Sequence, residues 1–172
     1  MDGLPLHPAV VHIPLGLSMV LPFVALAVTI AVWRKWLPAR SWLIVLLLQA
    51  AMVVGALVSH QTGQQEEDLV GGIVDDGPVL AHEEAAEAFL QSISALFVVS
   101  ALVAFFSRSR YVSLGQAGVT LGSLGVLFLG MTAGHAGGRL IFVHGAAEAH
   151  LPSATGNKDP SDSGDDSGDP KD

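Results

Sequence analysis

Four long apolar runs, separated by polar connections, make up most of the chain as far as Gly134. Each run is close to the twenty or so apolar residues that a helix needs to cross the hydrocarbon core of a bilayer. The connection after the first run is short, so the first two helices are antiparallel neighbours. The pattern therefore predicts an all-α polytopic membrane protein, a four-transmembrane-helix up-down bundle within residues 1–150. The predicted spans are residues 8–33, 42–59, 85–106 and 114–134.

Two polar stretches lie outside these spans. Residues 61–81 are polar and acidic and contain Gly71-Gly72 and Gly77-Pro78 as turn signals, so we expect a loop there. Residues 151–172 consist largely of Ser, Gly, Pro, Asp and Lys, a composition that cannot bury enough apolar surface to fold. We therefore expect a disordered acidic tail.

The distribution of charge predicts the orientation. The net charge is −8, yet the two short connections, residues 34–40 and 107–113, contain no acidic residue and hold five of the eight basic residues. The positive-inside rule places such connections in the cytoplasm. We therefore expect a multi-pass protein of the bacterial inner membrane with both termini outside. The chain lacks the basic surface typical of nucleic-acid binding, so that class is excluded.

The first span and its connection carry residues with positional meaning. Pro14 and Pro22 each remove a backbone hydrogen bond, so we expect them to bend the first helix. Trp33, Trp36 and Trp42 flank the connection, at the headgroup level where Trp is enriched, and we expect them to be interfacial anchors.

Glycines recur at helical spacing along the fourth run, in steps of three, four and three residues at its start. Such a stripe of small residues lets helices approach closely in a membrane, so we predict close helix packing along one face. The alternative is that the stripe leaves room for a flat cofactor between helices. The glycines are Gly115, Gly118, Gly122, Gly125, Gly130, Gly134 and Gly138.

Histidines mark the end of the bundle opposite the basic connections. None lies in either basic connection or in the middle of a span, and alternating helix directions bring all of them to one side. Ionisable groups at or within a membrane span are costly and mark a functional site by default. The seven are His7, His12, His60, His82, His135, His144 and His150.

The histidines predict a shared metal or haem site. The chain has no cysteine, which excludes disulfides, thiolate metal sites, iron–sulfur clusters and covalent c-type haem. Sites rich in nitrogen suit haem iron, copper, zinc or nickel, but the His-Glu-x-x-His and Glu-x-x-His patterns are absent. Haem b between opposed histidines fits a four-helix bundle best. Copper, another His-bound transition metal, or no cofactor are the alternatives.

The predicted ligands come from helices that face each other diagonally, which makes His60 with His135 one pair and His12 with His82 the other. We expect His12 to be the best buried of the four, although it lies deeper than His82. The predicted cofactor ligands are His12, His60 and His135, followed by His82. His7 and His144 are further metal-ligand candidates, and His150, at the edge of the tail, is left out.

Two motifs resemble a known family. The stretch Leu6-His7-Pro8-Ala9-Val10-Val11-His12-Ile13-Pro14 and the later Gly134-His135-Ala136-Gly137-Gly138, followed by His144-Gly145, resemble the bacterial membrane family called domain of unknown function 2231. The resemblance covers about residues 4–151 and implies a four-helix inner-membrane protein. Family members linked to cytochrome c-like modules imply a redox role. The family has no established activity and does not identify the ligands.

Two hypotheses on function follow. The preferred one is an inner-membrane b-type cytochrome-like or metal-binding redox subunit, with its histidine cluster at the outer, periplasmic face and a periplasmic c-type cytochrome or a membrane complex as partner. The other is a non-catalytic scaffold or accessory subunit of a larger complex. Either one is an electron-transfer or accessory subunit rather than a stand-alone enzyme. Both contact the lipid bilayer, and both are compatible with a homo-oligomer.

The orientation is testable because the chain has no native cysteine. In Ser109→Cys, a membrane-impermeant maleimide should react only after the membrane is opened, whereas in Ser163→Cys it should react in intact spheroplasts. Labelling of both variants in intact spheroplasts would contradict the predicted topology.

Overall fold

The structure, a computed structural model, describes residues 6–70, 74 and 76–146. Four of the helical segments in this part of the chain are long and apolar enough to cross a membrane, as predicted. The helices are α1 (Leu6–Val10), α2 (His12–Trp33), α3 (Leu43–Val70), α4 (Asp76–Phe105) and α5 (Val112–Phe142), with a 3-10 turn at Ala39–Trp42 before α3. The fold is an all-α four-helix bundle of the membrane type, and the predicted tail lies outside the described residues.

The four long helices form a closed ring in which each packs against two neighbours. The order is α2, α3, α4, α5 and back to α2, so α2 and α4 are diagonal partners, as are α3 and α5. The interior is lined by side chains such as Leu21, Met52 and Ile93, which are at most 1% exposed. The outer surface is also apolar: Phe105 is 79% exposed and Phe128 69%. Soluble monomers rarely expose apolar surface on this scale, whereas a lipid bilayer covers it.

The predicted loop at residues 61–81 is largely helical. α3 continues to Val70 and α4 begins at Asp76, so both helices extend beyond the apolar runs. Gly77 and Pro78 lie in the first turn of α4, where a backbone N–H has no helical partner and the ring of proline is tolerated. The signal interpreted as a turn is therefore a helix start.

Both prolines of the first span lie within α2, and the bends expected at them stay a prediction. Pro22 lies inside α2, which continues through it without interruption. The only irregularity is the turn at Val11 between α1 and α2, three residues before Pro14, and the backbone bond from Val11 N to the His7 carbonyl crosses it. Pro14 is buried, and its Cδ lies 3.2 Å from the position of a Cβ on Gly55. Because a glycine stands opposite, the first span and α3 pack closely there.

The basic end of the bundle is formed by the turn after α2 and the turn between α4 and α5. Lys35 adopts a φ of 60°, a left-handed conformation that residues other than glycine seldom adopt. Trp33 and Trp36 are exposed, as expected of interfacial anchors. Trp42 is only 2% exposed, which contradicts the predicted anchor role. Its 3-10 turn folds the indole into the bundle rather than toward the lipid.

The glycine stripe divides into two faces. An added Cβ on Gly115 would lie 2.6 Å from Val103 and one on Gly122 2.8 Å from Leu96, so side chains of α4 already fill this face. Gly118 and Gly125 have nothing within 4 Å of an added Cβ. A step of three residues rotates the position by about 60° out of the contact. Along this part of α5 the stripe therefore serves helix packing, and the space suggested for a flat cofactor holds side chains of α4.

We predict that Gly122→Leu destabilises the bundle by about 1–3 kcal/mol, because a large side chain would overpack the contact with Leu96. Gly125→Leu is the matched control on the same helix, and its stability should change little because the site is open. Denaturant unfolding in the same detergent measures both. Equal effects of the two substitutions would contradict the two-faced arrangement.

Candidate histidine site

His7, at the start of the first span, is held by α3. Its Nδ1–H donates to the carbonyl oxygen of Ser59 at 2.8 Å and lies 3.3 Å from the hydroxyl oxygen of Thr62. The ring also packs on Gly63, where an added Cβ would lie 3.1 Å from the Cε1 of His7. The carbonyl acceptor fixes the neutral ring with its proton on Nδ1, so that Nε2 is the basic nitrogen.

His82, on α4, is held by α5 in a similar way. The ring lies beside the backbone of Ala133. It packs on Gly137, where an added Cβ would lie 3.0 Å from its Cε1. The Nδ1 of His82 is buried and has no hydrogen-bond partner among the described residues. Buried polar atoms are normally paired, so an unpaired imidazole nitrogen is a candidate ligand atom.

The two rings meet between diagonal helices. Their centroids are 6.4 Å apart and their planes are inclined by 78°. The sequence pairs His82 with His12, although the two differ in depth. His7 lies five residues earlier, about 7.5 Å nearer the end of the bundle, and it matches the depth of His82. The equal depth of His7 and His82 is the signal in the sequence that favours His7. The expected burial of His12 was given more weight.

The other histidines lie outside this contact. His12 is exposed, so the prediction that it is the best buried of the candidate ligands is wrong. Its Nδ1–H donates to the carbonyl oxygen of Pro8, four residues earlier in the chain. His135 is exposed on α5, whereas His60 and His144 are half-buried. Among the described histidines, only His7 and His82 form a ring contact with each other. His150 lies outside the described residues.

Both sequence motifs line the site. The first supplies His7, and the second supplies Gly137 behind the ring of His82. At the end of the second motif, the N–H of His144 bonds to the carbonyl of Arg139, and Gly145 has a φ of 73°, which lets the chain turn away from α5. Val74, Leu140 and Ala146 form a small buried apolar cluster at this end of the bundle.

The donor set limits what the site can hold. No three His, Asp or Glu side chains within the described ranges lie close enough together to hold a metal ion. A bare zinc ion usually takes three or four protein ligands. Haem iron receives four nitrogens from its porphyrin and needs only axial protein ligands, of which two imidazoles are a common set. Two histidines with one unpaired buried nitrogen fit a haem better than a bare ion.

Comparison with known proteins adds no identity. No family model, curated protein or solved structure matches this chain. The resemblance to domain of unknown function 2231 therefore stays a prediction that rests on the two motifs.

The packing of His82 on Gly137 predicts an energetic coupling. Gly137→Ala should lower stability by about 1–2 kcal/mol relative to Gly138→Ala, because only the first methyl group meets the ring. Gly138 is the matched control, with open space around an added Cβ. In a His82→Ala background the difference should vanish, and unfolding of the four combinations in one detergent measures it. If Gly137→Ala still lowers stability more than Gly138→Ala in the His82→Ala background, the added methyl group meets a group other than the imidazole ring.

Proposed function

We propose that this protein is a small membrane redox subunit of the b-type cytochrome kind, in which His7 and His82 would hold one haem. The observation that carries the proposal is the contact between two imidazoles from diagonal helices, one of which has a buried nitrogen without a partner. When bound, the haem supplies reversible one-electron transfer.

The ring separation supports this ligand pair. Two side chains that would hold the same group must lie close to each other, as these two rings do. The observed separation is 6.4 Å. The sequence analysis favoured His12, His60 and His135, but two of these three side chains are exposed.

The neighbouring backbone would hold the ligands in place. Histidine ligands almost always use their second nitrogen to donate to a carbonyl, a carboxylate or water, which fixes the ring and raises its basicity. The Ser59 carbonyl serves His7 in this way, and the backbone of Ala133 contacts His82. Gly63 and Gly137 keep each ring close to the backbone of the helix that supports it.

The basic connections support a location of the site at the outer face of a bacterial inner membrane. A redox centre there would exchange electrons with a partner on the same side, such as a periplasmic c-type cytochrome. The connections at the opposite end contain no histidine that could hold a second haem. One-sided electron exchange is therefore the role that the distribution of ligands favours.

The test is haem content after expression with an adequate haem supply. The purified full chain should show a Soret band that shifts on reduction. His7→Ala and His82→Ala should each lower haem per chain by at least about tenfold, since loss of even a supporting partner weakens metal binding by that order. His12→Ala and His135→Ala are the controls and should keep the spectrum.

Other outcomes assign other functions. Loss of haem in His60→Ala and His135→Ala, but not in the His7 and His82 variants, would move the site to the other diagonal pair. A colourless protein that binds neither haem nor a transition metal would contradict the redox proposal and favour the scaffold.

A further inference from the structure

The end of the bundle opposite the histidines contains a cavity of about 440 Å³. It lies where the turn after α2 meets the ends of α3, α4 and α5. Basic and hydroxyl side chains line one part of it, and apolar side chains line the rest. The lining includes Lys35, Arg40, Trp42, Ser107, Ser113 and Val103.

Four of the five basic residues of this end fall into two groups. Arg34 stacks over Trp36 at 5.9 Å and Arg110 over Tyr111 at 4.7 Å, so these guanidinium groups are occupied by aromatic partners. Lys35 and Arg40 line the cavity instead. The two connections contain no acidic residue, so neither basic residue has a carboxylate in its own turn or in the facing one. The cavity therefore offers two positive charges to an anion.

Trp42 supplies a neutral donor to the same cavity. Its side chain is 2% exposed, and its Nε1–H is buried with no hydrogen-bond partner among the described residues. Trp33, which also lines the cavity, differs because its Nε1–H donates to the side-chain oxygen of Gln116 at 3.1 Å. A buried donor without an acceptor is costly, so an acceptor oxygen from a ligand would satisfy Trp42.

The remaining wall suits an acyl chain. Val103 and Val112 line the first cavity and also a second one of about 280 Å³, which is bordered mainly by apolar side chains such as Val99, Leu102 and Phe106. A ligand that fits both cavities has a negatively charged head and an apolar tail. A free anion would use only the first.

We infer that this end of the bundle is a binding site for one anionic phospholipid, whose phosphate lies between Lys35, Arg40 and the Nε1–H of Trp42 and whose acyl chain follows Val103. Ser107 and Ser113 supply hydroxyl donors beside the phosphate. The ligand comes from the leaflet in which the basic connections lie. This site is independent of the proposed haem and persists whether or not a haem is bound.

The test is native mass spectrometry of the full chain in detergent, titrated separately with dioleoyl phosphatidylglycerol and dioleoyl phosphatidylcholine. One phosphatidylglycerol per chain should bind at least about fivefold more tightly than phosphatidylcholine. Lys35→Gln/Arg40→Gln should weaken phosphatidylglycerol binding by about thirtyfold, at roughly fivefold per charge. Trp42→Phe, which keeps a ring but removes the donor, should weaken it by about tenfold.

Arg34→Gln/Arg110→Gln is the matched control, since it removes the same charge from the same end but outside the first cavity, and binding should change by no more than about twofold. Equal weakening by the two double variants would mean that the overall positive charge of this end attracts the lipid without a specific site. That result would overturn the inference. Equal binding of the two lipids, or displacement of phosphatidylglycerol by inorganic phosphate, would overturn it as well. If Trp42→Phe does not fold, the two double variants decide, because Lys35 and Arg40 are exposed.

Discussion

The structure depends on one constraint of the bilayer: a polar group inside the bundle must find its partner within the protein, because the lipid offers none. Most interior hydroxyls meet it locally, as when Ser59 donates to the carbonyl of Gly55 at 2.9 Å and Ser123 to that of Thr120 at 2.6 Å. Thr29 and Thr120 meet it between helices, at 3.1 Å. A buried polar group without such a bond either serves to bind a ligand or lowers the stability of the bundle.

The exceptions define the two ends of the molecule. The unpaired Nδ1 of His82 and the unpaired Nε1–H of Trp42 lie at opposite ends, and each belongs to the group of residues for which a ligand is proposed. One is a lone-pair donor suited to a metal, and the other is a hydrogen-bond donor suited to an anion. Gln49 and Ser100 also carry unpaired buried atoms, and neither belongs to either group. Unpaired buried atoms thus occur both at positions that suit ligands and at positions where they only reduce stability.

The sequence was sufficient for the fold because lipid imposes a simple pattern. Runs of about twenty apolar residues, basic turns and alternating direction predicted four helices and their diagonal relations, and both are observed. The pattern fails where helices leave the lipid, since residues 61–70 are polar and yet continue α3. An apolar run shows which part of a helix crosses the membrane and not how long the whole helix is. The lengths of α3, α4 and α5 were therefore underestimated.

The site was only partly predictable, because the direction of a side chain depends on helix rotation. The sequence indicates the end of the bundle at which the ring contact lies and includes His7 and His82 among its candidates, but it ranks His12 above both. His7 and His12 differ by five residues, a rotation of about 140°, so one of them turns toward α3 while the other turns outward. The glycine stripe was confirmed only in part for the same reason, because Gly118 and Gly125 turn away from the contact made by Gly115 and Gly122. Spacing along a helix shows which residues share a face and not which face is inside.

The distance between the two ends limits what they can do together. The 22 residues of α2 span about 33 Å at 1.5 Å per residue, and the core between the ends is mainly apolar. Gln49 is the largest polar side chain of the described core, and its amide has no partner with which to relay a proton. The chemistry proposed for the histidine pair would therefore stay at the end of the bundle where the pair lies, about the length of α2 from the basic end.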